Sequence, residues 1–352
     1  MSPTFLVSRT DAIGDVVLTL PVCGWLKQQH TGCRVVLIGR GYTAAVAAAC
    51  PWVDEFLELD KRVETGELPV EPFLAQLRSY AAAAIIHVFP NKLLARLARQ
   101  ANIPVRIGTR NRLFHWLTCN RLVALSRRHS PLHEAQLNLQ LLAPLGYAAP
   151  LTLPRVADLV RLVPAVPLAA RWQALLAARQ SGQLNIILHP RSRGSAREWG
   201  LPHFGALARG LHEAGHRVFI SGTAAEGEEL ADWLAEHAAY LAADLTGKLA
   251  LPEFIAFIAA ADGLVAGSTG PLHLAAALGR HALGLYPPIR PMHPGRWGPL
   301  GPRADYLVFD RPDCQDCRAA PAACTCIKAI GTAMVLARLA TWQQINATRQ
   351  VV

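Results

Sequence analysis

The chain has 352 residues, a length that suits two compact domains better than one core. Its 35 basic against 25 acidic residues leave a formal charge of +10 and point to an anionic partner; no zinc-finger spacing, RNP-like motif or Lys/Arg-rich tail selects nucleic acid. Mean hydropathy is +0.22, but the weakly charged region from Phe254 to Gly279 is broken by Asp262 and a Gly-Ser-Thr-Gly-Pro turn. Arg9, Asp11 and Asp15 interrupt the first apolar run, so neither a membrane span nor an export signal is expected, and the expected location is cytoplasmic.

Phe5 to Ser8 reads as a first strand, followed by the loop Arg9 to Asp15 and an apolar-periodic helix from Val16 to Gln29. Alternation continues with strands at Val35–Ile38, Phe56–Leu59 and Ala84–Val88, and helices at Ala44–Ala49, Pro72–Tyr80 and Lys92–Gln100. Next come the strand Val105–Gly108 and a basic loop, Thr109 to Trp116, that mixes cations with aromatics. From Leu151 to Pro167 prolines accumulate and periodicity weakens, which marks a linker. The grammar then restarts: strand Asn185–Leu188, loop His189–Trp199, helix Pro202–Glu213, strand Arg217–Ile220, helix from Ala225, Asp244-Leu245-Thr246-Gly247, helix Pro252–Ala261 and strand Asp262–Ala266. Strands interleaved with helices predict parallel βαβ units: an α/β protein of two doubly wound sheets, with ligands at the carboxyl edges of the strands. The expected division is an N-terminal domain over 1–160, linker and helix over 161–183, a C-terminal domain over 184–330, and a last helix over 331–352 that crosses back to the first domain.

Four stretches carry candidate chemistry. In the first loop, Asp15 sits where a general base could face a ligand, although Asp11 and Asp15 equally suit helix capping. In the second, Gly39-Arg40-Gly41-Tyr42-Thr43-Ala44 follows a strand and matches G-x-G-x-x-A, with Glu58 and Asp60 about 20 residues on; this supports the alternative of an NAD-dependent oxidoreductase. The third brings Arg191, Arg193 and Arg197 together after a strand, where guanidinium forks suit diphosphate oxygens. Gly267-Ser268-Thr269-Gly270-Pro271 belongs to the same group, because it opens a short helix whose first amides and dipole favour an anion. His273 on that helix is either a ligand contact or a buried structural histidine. The fourth, Cys314, Cys317, Cys324 and Cys326, has the C-x2-C and C-x-C spacing of a possible zinc site, with reduced thiols packing a crossing of the chain between domains as the other reading. Cys23, Cys33, Cys50 and Cys119 read as small buried residues.

Arg9-Thr10-Asp11-Ala12-Ile13-Gly14-Asp15 through Pro21 and Ser268 through Gly279, taken together, resemble glycosyltransferase family 9, the heptosyltransferases of lipopolysaccharide core assembly. The resemblance extends to Arg106-Ile107-Gly108, Ala196-Arg197-Glu198-Trp199, Asp244-Leu245-Thr246-Gly247 and the cysteine-rich stretch. It implies a GT-B fold, two Rossmann-like domains facing a central cleft, and an inverting transfer that needs no metal or cofactor. By resemblance Asp15 is the base and Arg197 stands where the family has a lysine on the donor phosphates. Glu226 reaches the donor ribose, and Thr269, Gly270 and His273 match the diphosphate turn. Ser268 replaces an aspartate of the best-known members. Arg191 and Arg193 join the donor side, while Arg9, Asp11, Arg106, Arg110 and Arg112 are candidates for the acceptor. The implied partners are ADP-heptose, a lipid A–core acceptor and, transiently, the anionic inner face of the membrane; a non-catalytic anionic-glycan binder is the further alternative.

Overall fold

The computed structural model describes residues 2–127, 130–290, 292–309, 311, 314, 316–318, 320 and 324–349. The chain forms two compact units, Met1–Val163 and Pro164–Val352. Unit 1 is built on strands β1 (Thr4–Ser8), β2 (Arg34–Gly39), β3 (Glu55–Glu58), β4 (Ala84–His87), β5 (Val105–Thr109) and β6 (Arg121–Val123). They lie in the order β3-β2-β1-β4-β5-β6, every neighbouring pair parallel. Unit 2 contains β7 (Asn185–His189), β8 (Arg217–Ile220), β9 (Ala243–Asp244), β10 (Gly263–Ala266), β11 (His281–Tyr286) and β12 (Ala304–Val308), in the order β12-β11-β10-β7-β8-β9. Counted from its own first strand, each sheet has the same doubly wound order. Each therefore reverses direction beside its first strand, at β1/β4 and at β7/β10, where the loops on either side diverge and leave room for a ligand.

The central strands explain why the sheets form where the apolar runs fall. Phe-Leu-Val of β1, Ile-Ile of β4, Ile-Ile-Leu of β7 and Leu-Val of β10 are wholly buried, as strands covered on both faces must be. The edge strands β3, β6, β9 and β12 keep half-exposed or exposed residues. β11 is fully buried, and its Gly284 lets the helix Gly270–Ala277 approach: a Cβ there would meet Leu272 Cδ2 at 2.9 Å.

Several expectations are corrected in detail. The helix expected over Val16–Gln29 is two, Ile13–Val17 and Leu20–Gln29, with Pro21 in the first turn of the second. A proline there has no amide to donate to residue 17 and its ring crowds that carbonyl, so the chain restarts. Asp15 consequently sits on a one-turn helix at the sheet edge. Part of the expected basic loop folds as the helix Leu113–Thr118. Within unit 2, the helix Ala170–Ala177 lies in the stretch expected as linker and helix. The last helix, Thr332–Arg349, packs on Leu201–Glu213, with Leu336 against Gly210 and Trp342 stacked on His281 at 4.8 Å.

Gly301 ties the start of β12 to the helix Gly270–Ala277, because a Cβ at this position would overlap the Ala276 carbonyl, reaching its carbon at 2.7 Å. Backbone cannot move aside as a flexible side chain can. Gly301→Ala is expected to cost about 1–3 kcal/mol, the usual penalty of overpacking, and to lower the thermal unfolding midpoint of the purified protein.

Candidate active site

In unit 1 the β1/β4 switch point is filled by charge. Arg9 leaves the end of β1 and is only 3% exposed. A guanidinium this buried requires carboxylates and hydrogen bonds around it. Its Nε donates to Asp11 Oδ1 at 2.6 Å, its Nη2 to Asp15 Oδ1, and its Nη1 approaches Glu134 Oε1 at 3.4 Å. The ring of Phe89, following β4, lies 5.9 Å from the guanidinium carbon. Glu134, 1% exposed, also accepts from Arg127 Nε at 2.9 Å, and Arg127 bonds the Val88 carbonyl and Asn138 Oδ1. Two arginines and three carboxylates thus form one array, with Asp15 at its solvent side, the side chain 22% exposed.

Within this array neither aspartate stands at the N-cap of the helix Ile13–Val17. Ala12, not an aspartate, is the N-cap of Ile13–Val17, and it makes no side-chain cap bond. Asp11 bonds Arg9 instead, while its carbonyl accepts from the Tyr42 hydroxyl at 2.7 Å. Asp15 is held by Arg9 and its own carbonyl accepts from Thr19 Oγ1 at 2.9 Å. Glu134 and Arg127 carried no local signal in the sequence; Glu134 reaches Arg9 across 125 residues, and Arg127 holds Glu134. Among the expected acceptor residues, Arg110 and Arg112 stand exposed on the loop after β5, whereas Arg106 spends its guanidinium on the Thr118 and Ile103 carbonyls.

The G-x-G-x-x-A turn does not fit a dinucleotide. It leads into a three-residue 3-10 turn, Gly41–Thr43, and the helix Ala44–Ala48. Glu58 fills the space over Gly41, its Cδ 2.8 Å from where a Cβ would stand, so a carboxylate already occupies the close approach a pyrophosphate would need. Arg40 is engaged by the Thr10 and Leu59 carbonyls and by Glu64. The oxidoreductase alternative falls with that turn.

In unit 2 the loops after β7 and β10 meet at the switch point: a Cβ on Gly267 would lie 3.4 Å from the Arg197 carbonyl and 3.6 Å from Ala196 Cβ. Thr269 is the N-cap residue of Gly270–Ala277, yet its hydroxyl turns to the Gly267 carbonyl at 3.4 Å and caps nothing. The first-turn amides, which have no partner within the helix, are left for an anion at the dipole's positive end. Gly279, at φ +70°, ends the helix as expected. His273 is buried on this helix. Ser268 is hydrogen-bonded to the Tyr286 hydroxyl, which donates to the Trp297 carbonyl at 2.6 Å.

Around this turn the expected cations are partly committed. Arg197 is 8% exposed; its Nε donates to Cys317 Sγ at 3.4 Å and its Nη2 to the Cys317 carbonyl at 3.0 Å, which leaves three of its five N–H donors for a ligand. Arg191 bridges Glu198 and Glu229 at 3.2 and 3.0 Å. Arg193 is exposed in the left-handed region, at φ +49°. Glu198, absent from the expected set, shapes the loop by accepting from the Ser192 amide and hydroxyl at 2.9 and 3.0 Å. Glu226 is buried at N3 of the helix Ala224–Glu229, where it closes a capping box with Thr223. Beside it, His189 shares a hydrogen bond with Ser221 Oγ at 3.0 Å, and burial, opposed by the Glu226 charge, holds its pKa below the ordinary value.

The four late cysteines are free and buried in the hydrophobic cluster of unit 2. Cys326 donates to Cys314 Sγ at 3.5 Å, and Cys324 is hydrogen-bonded to Cys317. Among the described residues no three metal-binding side chains are gathered round one point. Of the four cysteines, Cys317 anchors Arg197.

Asp11 offers a direct test of the array in unit 1. Burial raises its carboxyl from 3.8 to about 6, with Arg9 opposing and the neighbouring Asp15 charge adding to the rise. Because the folded state binds this proton more tightly than the unfolded chain, the contribution to stability is present below pH 4 and lost as pH rises through 6. Carbon-detected NMR of the Asp11 carboxyl should give a midpoint near 6, and Asp11→Asn should flatten stability against pH between 4 and 6.

The family model of glycosyltransferase family 9 (heptosyltransferase) matches residues 73–327. A putative glycosyltransferase of Haemophilus influenzae is 26% identical over 319 residues, 87% of this chain and 89% of that protein. Lipooligosaccharide heptosyltransferase 2 of the same organism is 25% identical over 294 residues, 80% and 82% of the two chains. The solved structure of Escherichia coli ADP-heptose LPS heptosyltransferase II superposes with a TM-score of 0.75 at 19% identity, covering 98% of this chain and 99% of that one, and shares its GT-B fold. This chain belongs to glycosyltransferase family 9, the heptosyltransferases, and is a glycosyltransferase.

Proposed function

We propose that this enzyme transfers a heptose from ADP-heptose, with inversion, to a hydroxyl of a lipopolysaccharide inner-core intermediate. The observation that carries the reading is the filling of both switch points. In unit 1 a partly exposed carboxylate, Asp15, is held on a buried cation; in unit 2 an open helix N-terminus stands beside an anchored arginine. A single displacement needs those two functions.

The acceptor oxygen attacks the anomeric carbon as Asp15 takes its proton. The bond from that carbon to the diphosphate oxygen breaks, with its electron pair leaving on ADP. Negative charge grows on the diphosphate, and the amides at Gly270 and Leu272, the Thr269 hydroxyl once turned from the Gly267 carbonyl, and the remaining N–H groups of Arg197 stabilise it. His273 and Glu226 line the donor side, Glu226 for the ribose, with Arg191 and Arg193 at its rim. Arg9 and Asp11 orient Asp15, while Arg110 and Arg112 meet anionic groups of the acceptor. The ADP donor accords with the printed name of the Escherichia coli heptosyltransferase II structure. A lipid-linked acceptor would bring the enzyme to the anionic inner face of the membrane from the cytoplasm; no described helix is long and apolar enough to cross it.

Asp15→Asn tests the reading. Removing the base should lower kcat by roughly 10²–10⁴-fold, the usual worth of general-base catalysis, while ADP-heptose still binds as to the wild type. Turnover kept by a folded Asp15→Asn protein contradicts the assignment. Binding of the acceptor by the wild type without release of ADP would identify a non-catalytic glycan binder instead.

A further inference from the structure

The net charge of this protein has one source. Between Pro72 and His133 lie ten of the 35 basic residues and none of the 25 acidic ones, so the remainder of the chain is balanced. At the centre of this segment is the helix Leu113–Thr118, whose apolar residues face the wrong way for a globular core. Leu113 is 87% exposed, Trp116 59% and Leu117 73%. The inward face is carried by His115 and, just past the helix, Cys119, seated against Gly108; a Cβ on that glycine would stand 2.7 Å from His115 Nδ1 and 2.8 Å from Cys119 Sγ. His115 Nδ1 accepts from the Thr109 amide at 3.0 Å. The helix is therefore fixed from beneath, and its outward orientation is not a loose end.

Exposed arginines flank this helix. Arg99 Nη1 donates to the Leu117 carbonyl at 2.7 Å, which sets its charge at the helix's end. Trp116 Nε1 donates to the Arg110 carbonyl at 2.9 Å, which holds the indole against the loop bearing Arg110 and Arg112. Arg121 stands exposed at the start of β6. We infer that the helix Leu113–Thr118 and its flanking arginines dock unit 1 on the surface of an anionic phospholipid bilayer, with Leu113, Trp116 and Leu117 entering the interface and Arg99 and Arg121 meeting lipid phosphates. Aliphatic side chains gain from acyl chains what they cannot gain from nucleic acid bases, tryptophan favours the interfacial depth, and basic residues are drawn to the negative leaflet. A second copy of this chain would bring the same arginines face to face across a two-fold contact, which like charge opposes.

The inference rests on the reading of an acceptor held at a membrane surface, and the experiment separates the two. Full-length protein is sedimented with vesicles of phosphatidylcholine alone and with vesicles of phosphatidylcholine and phosphatidylglycerol in equal parts. Transfer is measured in parallel on a deacylated acceptor that needs no membrane. The variants are Leu113→Gln/Trp116→Gln/Leu117→Gln and Arg99→Gln/Arg121→Gln, all at exposed positions, with unfolding midpoints compared to the wild type. The wild type should bind the anionic vesicles and not the neutral ones, and each variant should lose about 10- to 30-fold in partitioning at low salt while keeping turnover on the deacylated acceptor. Equal binding to both vesicles, undiminished binding by the apolar triple variant, or a patch that alters only the oligomeric state would overturn the inference. A wild type that docks but transfers no sugar supports docking and sinks the functional reading; one that transfers sugar but ignores vesicles does the reverse.

Discussion

A guanidinium removed from water at the mouth of a parallel sheet can persist only if carboxylates are brought to it, and in unit 1 that requirement organises the site. Arg9 leaves β1 at the switch point, and Asp11, Asp15 and Glu134 converge on it. Glu134 is itself held by Arg127, which reaches the Val88 carbonyl after β4. The two loops that diverge at the switch point are thus tied to one ion array, and Asp15 is presented from it with its orientation set. Breaking any member would leave a buried charge without its partner, a far larger loss than a surface pair would entail.

Unit 2 solves the opposite electrostatic problem with the same strand order. Under the proposed function its switch point receives an anion, and the loops there bring first-turn backbone amides and Arg197 together. The Gly267 turn lies against the Ala196–Arg197 backbone because glycine leaves room for that approach. The Cys317 carbonyl and sulfur then hold the Arg197 guanidinium in a buried position with donors to spare. The late cysteines, whose spacing left a zinc site and packed reduced thiols both open, lie in the core of unit 2, and Cys317 holds this arginine.

Much of this architecture was legible in the chain because central strands buried on both faces read as unbroken apolar runs: β1, β4, β7 and β10 fall within a residue of where those runs lie. The edge strands β6, β9 and β12 were not legible, since half-exposed strands carry no such run. β11 was hidden by its internal Gly284, whose purpose is contact with a helix elsewhere in the chain. Helix Leu113–Thr118 was read as loop because its apolar side points to solvent, inverting the pattern that amphipathicity relies on. At the candidate sites, the motifs around Asp15 and Thr269 are local and can be read from spacing. Their supports are not: Glu134 lies 125 residues from Arg9, and Cys317 lies 120 from Arg197. Contacts at such separations leave no trace in local spacing.

Unit 2 is proposed to hold the diphosphate of an ADP-linked sugar. Thermal unfolding in the presence of a panel of nucleotides and nucleotide sugars tests it most directly, since a ligand at about 100 times its Kd adds about 2.7 kcal/mol to the folded state. ADP-heptose and ADP should raise the melting temperature, UDP- and GDP-sugars should do so weakly, and NAD should not. Stabilisation by a UDP- or GDP-sugar with none from ADP-heptose would contradict that assignment.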